Sequence, residues 1–98
     1  MIFTIHIRPE AEGDIEYAAI WYEKQQENLG QDFLAKLSST FKELSENPKL
    51  YPAIYRDTHR VVIHRFPFNV HYLIEDTSVI VVAVMHGSRH PKRWQSRI

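Results

Sequence analysis

Arg60-Val61-Val62-Ile63-His64-Arg65-Phe66-Pro67-Phe68-Asn69-Val70-His71-Tyr72-Leu73-Ile74, followed after a short polar break by Val79-Ile80-Val81-Val82-Ala83-Val84-Met85, is the stretch that decides the fold. β-branched and aromatic residues at this density fit a pleated, half-buried surface, and the breaks between the runs carry turn residues. Turns at residues 66–69 and 75–78 give an antiparallel meander in which His64 faces His71, Ile63 faces Tyr72, Ile74 faces Val79 and His71 faces Val82. Strict alternation then places Val61, Ile63, Val70, Tyr72, Ile74, Val79, Val81, Ala83 and Met85 on one apolar face. Arg60, Val62, His64, His71, Leu73, Ile80, Val82, Val84 and His86 fall on the other.

Upstream, Phe3, Ile5 and Ile7 alternate with Thr4 and His6, the period of a further half-buried strand, which is expected to join the meander's sheet. Pro9 suits the first position of a helix, and Glu10, Glu12, Asp14 and Glu16 put negative charge where the helix dipole favours it. Ala11, Ile15, Ala18, Ala19 and Tyr22 recur at spacings of three and four, so this helix has one stripe to bury. Tyr17, Ile20 and Trp21 lie off that stripe. A second helix is expected from Asn28, with Gln31 completing a capping box. Its apolar face is Phe33, Leu37, Phe41 and Leu44, and it ends at Asn47-Pro48, because a residue before proline avoids the helical region. Residues 49–59 read as a loop. The expected fold is a single α+β domain over residues 1–98, in the order β-α-α-β-β-β, with a helical hairpin packed on one face of an antiparallel-rich sheet.

The chain has 98 residues and is 44% hydrophobic, which suffices for one core. It contains no cysteine, so a disulfide framework and a thiolate metal site are excluded and a reducing compartment, the cytoplasm, is expected. No basic leader precedes the first apolar residues and no apolar run is long enough to span a bilayer, so neither a signal peptide nor a membrane partner is expected. The net charge is zero, but residues 1–50 carry five Lys/Arg against nine Asp/Glu while residues 51–98 carry seven against three. After Asp76 there is no acid, whereas Arg89, Lys92, Arg93 and Arg97 follow, giving that end a positive potential. A neutral chain is a poor general coater of nucleic acid, since affinity of that kind scales with the phosphates neutralised. Specific DNA binding by this chain alone is not expected.

His64, His71 and His86 share a face in this register, but His86 lies about 13 Å along from the position facing His71 at the usual strand rise. Zinc ligands converge within about 2 Å of one ion, so no metal site is expected, and His64 and His71 read as a surface or partner-facing pair. A metal-free ribonuclease needs cations on the phosphate and a group to move protons; Arg60, Arg65 and Arg89 could supply the first and His86 the second. No cofactor is implied.

The basic strand, the Phe66-Pro67-Phe68 turn, the Tyr72 strand, the valine-rich strand and the tail His86-Gly87-Ser88-Arg89-His90-Pro91-Lys92-Arg93-Trp94 together resemble toxins of the RelE/ParE superfamily of bacterial toxin–antitoxin modules. The likeness runs over essentially the whole chain, is most specific over residues 60–94, and is nearest to the ParE, or plasmid-stabilisation, branch. It implies a type II toxin bound and neutralised by a cognate antitoxin. The mRNA-cutting branch, which acts on the translating ribosome, relies on several basic residues across the sheet and usually on a C-terminal tyrosine or histidine. This sequence has no lysine between Lys49 and Lys92 and no tyrosine after Tyr72. The ParE branch poisons DNA gyrase instead, and its C-terminal segment is implicated in toxicity, which maps here onto residues 86–94. The resemblance thus implies gyrase as target, with Arg89, Arg93 and Trp94 as target-binding residues; a ribonuclease, or a folded but non-toxic relative, is the alternative. Tyr17, Ile20 and Trp21 would otherwise leave apolar area in water, so they are the expected antitoxin-binding residues, under an amphipathic antitoxin helix with an extended segment added at the sheet edge.

Overall fold

Pro9, with no N–H to lose, opens the first long helix as expected. The computed structural model describes residues 2–98. Its elements run β1 (Thr4–Ile7), α1 (Pro9–Gln25), α2 (Leu29–Glu46), a 3-10 turn (Pro48–Leu50), β2 (Ala53–Tyr55), β3 (Thr58–Ile63), β4 (Phe68–Glu75), β5 (Ser78–His86) and α3 (Lys92–Gln95). The strands form one sheet in the order β1-β5-β4-β3-β2, with β1 parallel to β5 and the remaining pairs antiparallel. The α+β class and the helical hairpin on an antiparallel-rich sheet agree with the sequence.

The α1 stripe is buried at Ala11, Ala18 and Tyr22, with Ile15 and Ala19 packed at its margin. The α2 start differs from expectation. Asn28 adopts a left-handed conformation, φ 69°, and its side chain makes no capping bond. The cap is the Glu23 carboxylate, which reaches back from α1 and accepts from the N–H groups of Asn28 and Gly30 at 2.9 and 3.0 Å. An anion at a helix start is favoured by both the free N–H groups and the dipole. Gly30 belongs to the same joint, since a Cβ there would lie 2.5 Å from the Ala19 carbonyl oxygen.

Two registers differ from the expected meander. The β3–β4 reversal uses residues 64–67, so Ile63 pairs with Phe68 and Arg60, not His64, pairs with His71. Phe66 is the cause: it turns inward, 4% exposed, to join Tyr22, Phe33 and Phe68 in an aromatic cluster with centroids 4.9 to 5.9 Å apart. Between β4 and β5, Tyr72 pairs with Val81 but His71 pairs with Ala83, so Val82 is an extra residue in the ladder. Beyond this bulge the faces exchange. Val84 joins the helix-covered core, while Ala83 and Met85, assigned above to that face, lie with Val82 on the opposite one. The expected loop 49–59 also contains β2, which joins β3 through Arg56 and Asp57, both at positive φ (43° and 63°), the conformation a two-residue hairpin requires.

The sheet therefore carries two cores. Phe33, Leu44, Val70, Tyr72, Val79 and Val81, all without exposed surface, fill the one under the helices. Each such side chain contributes roughly 1.5–3 kcal/mol from burial. The smaller core lies on the far face, where Val82, Ala83, Met85 and Trp94 meet Tyr55, Leu73, Ile80 and Ile98.

Candidate functional site

β1 pairs with β5 only as far as Val81, which leaves the edge of β5 beyond it without a strand neighbour. Side chains complete that edge. The Asp14 carboxylate, from α1, accepts the Val84 N–H at 3.0 Å, and Arg97, from the C-terminal tail, donates to the Val82 carbonyl at 3.1 Å. The two side chains also bind each other through both guanidinium nitrogens, at 2.7 and 3.1 Å, and are largely shielded from solvent. This paired, doubly hydrogen-bonded geometry raises the Arg97 pKa further, the bond to Asp14 being its largest cause. Arg8 adds a bond to the Arg97 carbonyl at 3.2 Å.

The tail's second attachment is Trp94. Its ring stacks on His71 with centroids 4.2 Å apart and meets Tyr55 edge-on at 5.6 Å. His71 is 2% exposed and its Nδ1 has no hydrogen-bond partner. Burial, helped by the charges of Arg60 and Arg97 and opposed by that of Asp14, lowers its pKa to about 4, so it is neutral at physiological pH. The expectation that His64 and His71 form a surface pair is thus corrected: His64 is in the β3–β4 turn, and His71 is inside the second core.

Pinned at Asp14 and His71, the tail forms one wall of a cleft of about 1020 Å³ against α1. Gly13, Asp14, Tyr17, Ala18, Trp21 and Tyr22, at helical spacing, make the α1 wall. Phe68, Val84, Met85 and His86 form the floor, and Ser88, Arg89, Arg93 and Arg97 the far wall. Tyr17 is 66% and Trp21 50% exposed, and no side chain fills the space above Gly13. Among the described residues neither Arg89 nor Arg93 is in an ion pair. The His86 Nδ1 accepts the Ser88 N–H at 3.0 Å and lies 2.7 Å from its hydroxyl, which fixes the ring at the strand end. Asp14 is the only carboxylate lining the cleft and is occupied by Arg97. The arrangement offers aromatic surface and two free guanidinium groups to a ligand.

The residues singled out from sequence divide as follows. Tyr17 and Trp21 share the cleft with Arg89 and Arg93. Ile20 lies outside it, exposed over a shallow apolar dent with Ile15, Ala19 and Leu34. Trp94, expected to present itself to a target, is 7% exposed and holds the tail from within. Arg60, Arg65, His86 and Arg89 do not gather. Arg60 is paired beside His71 on β3, Arg65 sits in the turn against Asp32 at 3.1 Å, and only His86 and Arg89 share the cleft. Sequence reasoning read Asp14 only as favourable charge at the start of a helix and passed over Gly13. Asp14 carried a signal, an acid three residues from Ala11 and four from Ala18 on the apolar stripe, where an ionised group needs a partner. No three His, Asp or Glu side chains among the described residues cluster as a metal site would need. No helix among the described residues is long and apolar enough to cross a membrane.

Against this geometry, the family model described as "ParE toxin of type II toxin-antitoxin system, parDE" matches residues 5–91. The chain belongs to the ParE toxin family. Its type II toxin fold recurs in solved structures of both branches of the superfamily. A chain of the chromosomal ParDE system of P. aeruginosa superposes with a TM-score of 0.63 at 9% identity, over 87% of this chain and 96% of that one. A chain of the RelBE2 toxin–antitoxin complex of Mycobacterium tuberculosis gives 0.61 at 20% identity, over 88% and 99%. A double arginine-to-alanine mutant of E. coli RelE in the free state gives 0.65 at 14% identity, over 99% and 94%. No curated protein matches the chain by sequence. At these identities the likeness is one of fold, common to ParE and RelE chains alike.

Proposed function

We propose that this ParE-family chain is a cytoplasmic plasmid-stabilisation-type toxin that inhibits DNA gyrase by binding it, and that a cognate antitoxin neutralises it by direct contact. The observation that carries the proposal is the content of the cleft. It presents Tyr17, Trp21, Arg89 and Arg93 to solvent, the residue types that dominate protein interfaces, and it holds no free carboxylate. A nuclease would need its cations and proton-transfer groups within reach of one phosphate, whereas Arg60, Arg65 and the His86–Arg89 pair occupy three separate places. Arg89 and Arg93 are the proposed target contacts, held in place by Trp94, and Tyr17, Ile20 and Trp21 the proposed antitoxin contacts.

The test is purified protein with gyrase and relaxed plasmid, run beside a translating ribosome extract with a defined message. The expected result is loss of supercoiling with the message intact. Cleaved message with normal supercoiling would replace this reading with a ribonuclease and direct attention to His86 and Arg89. Neither effect, from a folded protein, would make the chain a non-toxic member.

A further inference from the structure

We infer that Ser88 is a nucleophilic serine that accepts a phosphoryl group, with His86 as its base and Arg89 and Arg93 holding the charge that develops on the phosphoryl oxygens. This chemistry is separate from binding to a target, and gyrase does not enter its test.

Ser88 differs from other serines of the chain in what its hydroxyl meets. Its Oγ lies 2.7 Å from the His86 Nδ1, and its own N–H donates to the same nitrogen at 3.0 Å. A ring nitrogen that accepts an N–H carries no proton, so the neutral imidazole holds its proton on Nε2 and Nδ1 can take the one from Ser88. The Phe68 ring, edge-on with centroids 5.5 Å apart, braces the imidazole from the floor of the cleft. Ser39 and Ser45 instead donate to the carbonyl oxygens of Lys36 and Lys42, at 2.9 and 2.6 Å. A carbonyl oxygen is too weak a base to remove a hydroxyl proton, whereas an imidazole is the usual group for that task.

The class of electrophile follows from the surroundings. Ser88 is exposed and lines the cleft together with Arg89 and Arg93, neither of which is in an ion pair among the described residues. Guanidinium donors favour a centre whose oxygens gain negative charge under attack, as those on phosphorus do. The neighbouring N–H groups of Gly87 and Arg89 are taken by the carbonyls of Pro67 and His86, so they are not available as the backbone oxyanion hole that acyl transfer uses. The step balances with a phosphoryl donor such as a nucleoside triphosphate. The Oγ–P bond forms, the bond from phosphorus to the bridging oxygen breaks, and its electron pair leaves with the nucleoside diphosphate. The hydroxyl proton passes to Nδ1 and on to solvent. Because the protein supplies the nucleophile, one base and the two cations suffice. A phosphate on Ser88 would set about −1.5 to −2 charge beside two guanidinium groups and cancel the positive potential of the tail.

The folded full chain tests this with diisopropyl fluorophosphate, in which fluoride is the leaving group, and peptide mass mapping locates the modified residue. We expect Ser88 to be labelled about tenfold or more faster than Ser39 and Ser45 in the same molecule, and about a hundredfold slower in His86→Ala, with part of the rate restored by free imidazole. His86→Phe, which keeps a ring against Phe68, should be as slow as His86→Ala, so the loss is not one of local packing. Labelling in Arg89→Ala/Arg93→Ala should fall by about tenfold or more, because the donors to the phosphoryl oxygens are gone. Labelling of Ser88 no faster than that of Ser39 or Ser45, or a rate indifferent to His86→Phe, would overturn the assignment of nucleophile and base. An unchanged rate in the double arginine variant would overturn the preference for a phosphoryl group.

Discussion

His71 sits neutral between the sheet and the Trp94 ring, and that neutrality has a consequence for stability. Its folded pKa of about 4 lies below the 6.5 of the free side chain, so the unfolded chain takes up a proton first as pH falls. The stabilisation is complete above pH 6.5 and is lost progressively towards pH 4, by roughly 3 kcal/mol at about 1.4 kcal/mol per pH unit. His71→Phe keeps a ring against Trp94 and removes the unpartnered nitrogen. Urea denaturation at pH 7 and pH 4.5 should show a larger acid loss in the unaltered protein than in this variant, and parallel profiles would place the acid sensitivity elsewhere. Two glycines give predictions of opposite sign. Gly13→Ala meets open space and should stabilise α1 by about 0.5–1 kcal/mol through helix propensity alone. Gly30→Ala drives a methyl group to 2.5 Å from the Ala19 carbonyl oxygen, so the hairpin must part, at a cost of about 2 kcal/mol. Thermal melts of the two variants check both.

At the level of elements, α1, α2, β3 and β4 were legible because their apolar residues repeat at 3.6 or 2, and β5 because a short, β-branched apolar run bounded by turn residues reads as a buried strand. What stayed hidden was each place where a tertiary contact overrides local pattern. Asn28 reads as a side-chain cap, but its left-handed backbone and the Glu23 carboxylate perform the task. Asn28→Gly is therefore expected to leave stability equal or raise it, whereas Glu23→Ala should cost about 1 kcal/mol. A large loss in Asn28→Gly would restore the side-chain cap. The Phe66-Pro67-Phe68 turn was visible in the sequence, but its register was not, because the turn was set at residues 66–69 whereas Phe66 packs into the core and the reversal uses residues 64–67. The β5 bulge had no signal at all, since Val81 to Met85 are buried on both faces and an unbroken apolar run carries no alternation. Of the cleft, the exposed aromatics and the basic tail were each readable, but their meeting depends on the Asp14–Arg97 pair, which joins residues 83 positions apart.

The whole molecule balances its charge by segregating it, and it completes its second core with its last residues. Because Trp94 and Ile98 belong to that core, deletion of residues 87–98 would bare Val82, Ala83 and Met85 and lower stability along with any toxicity. Truncation alone therefore cannot assign the tail a role at the target. Two smaller changes can. Arg97→Ala breaks a largely shielded pair and frees the edge of β5, so it should lower stability by about 2–3 kcal/mol and weaken the proposed gyrase inhibition only as a consequence. Arg89→Glu/Arg93→Glu alters two exposed side chains that make no ion pair among the described residues, so its melting temperature should stay within about 5 °C of the unaltered chain, surface changes being worth about 0.5 kcal/mol or less each. Inhibition should nevertheless be lost, because the tail would then present negative charge to the target. If the double variant melts normally and still inhibits gyrase, the tail serves only to close the second core, and the target must be met elsewhere on the surface.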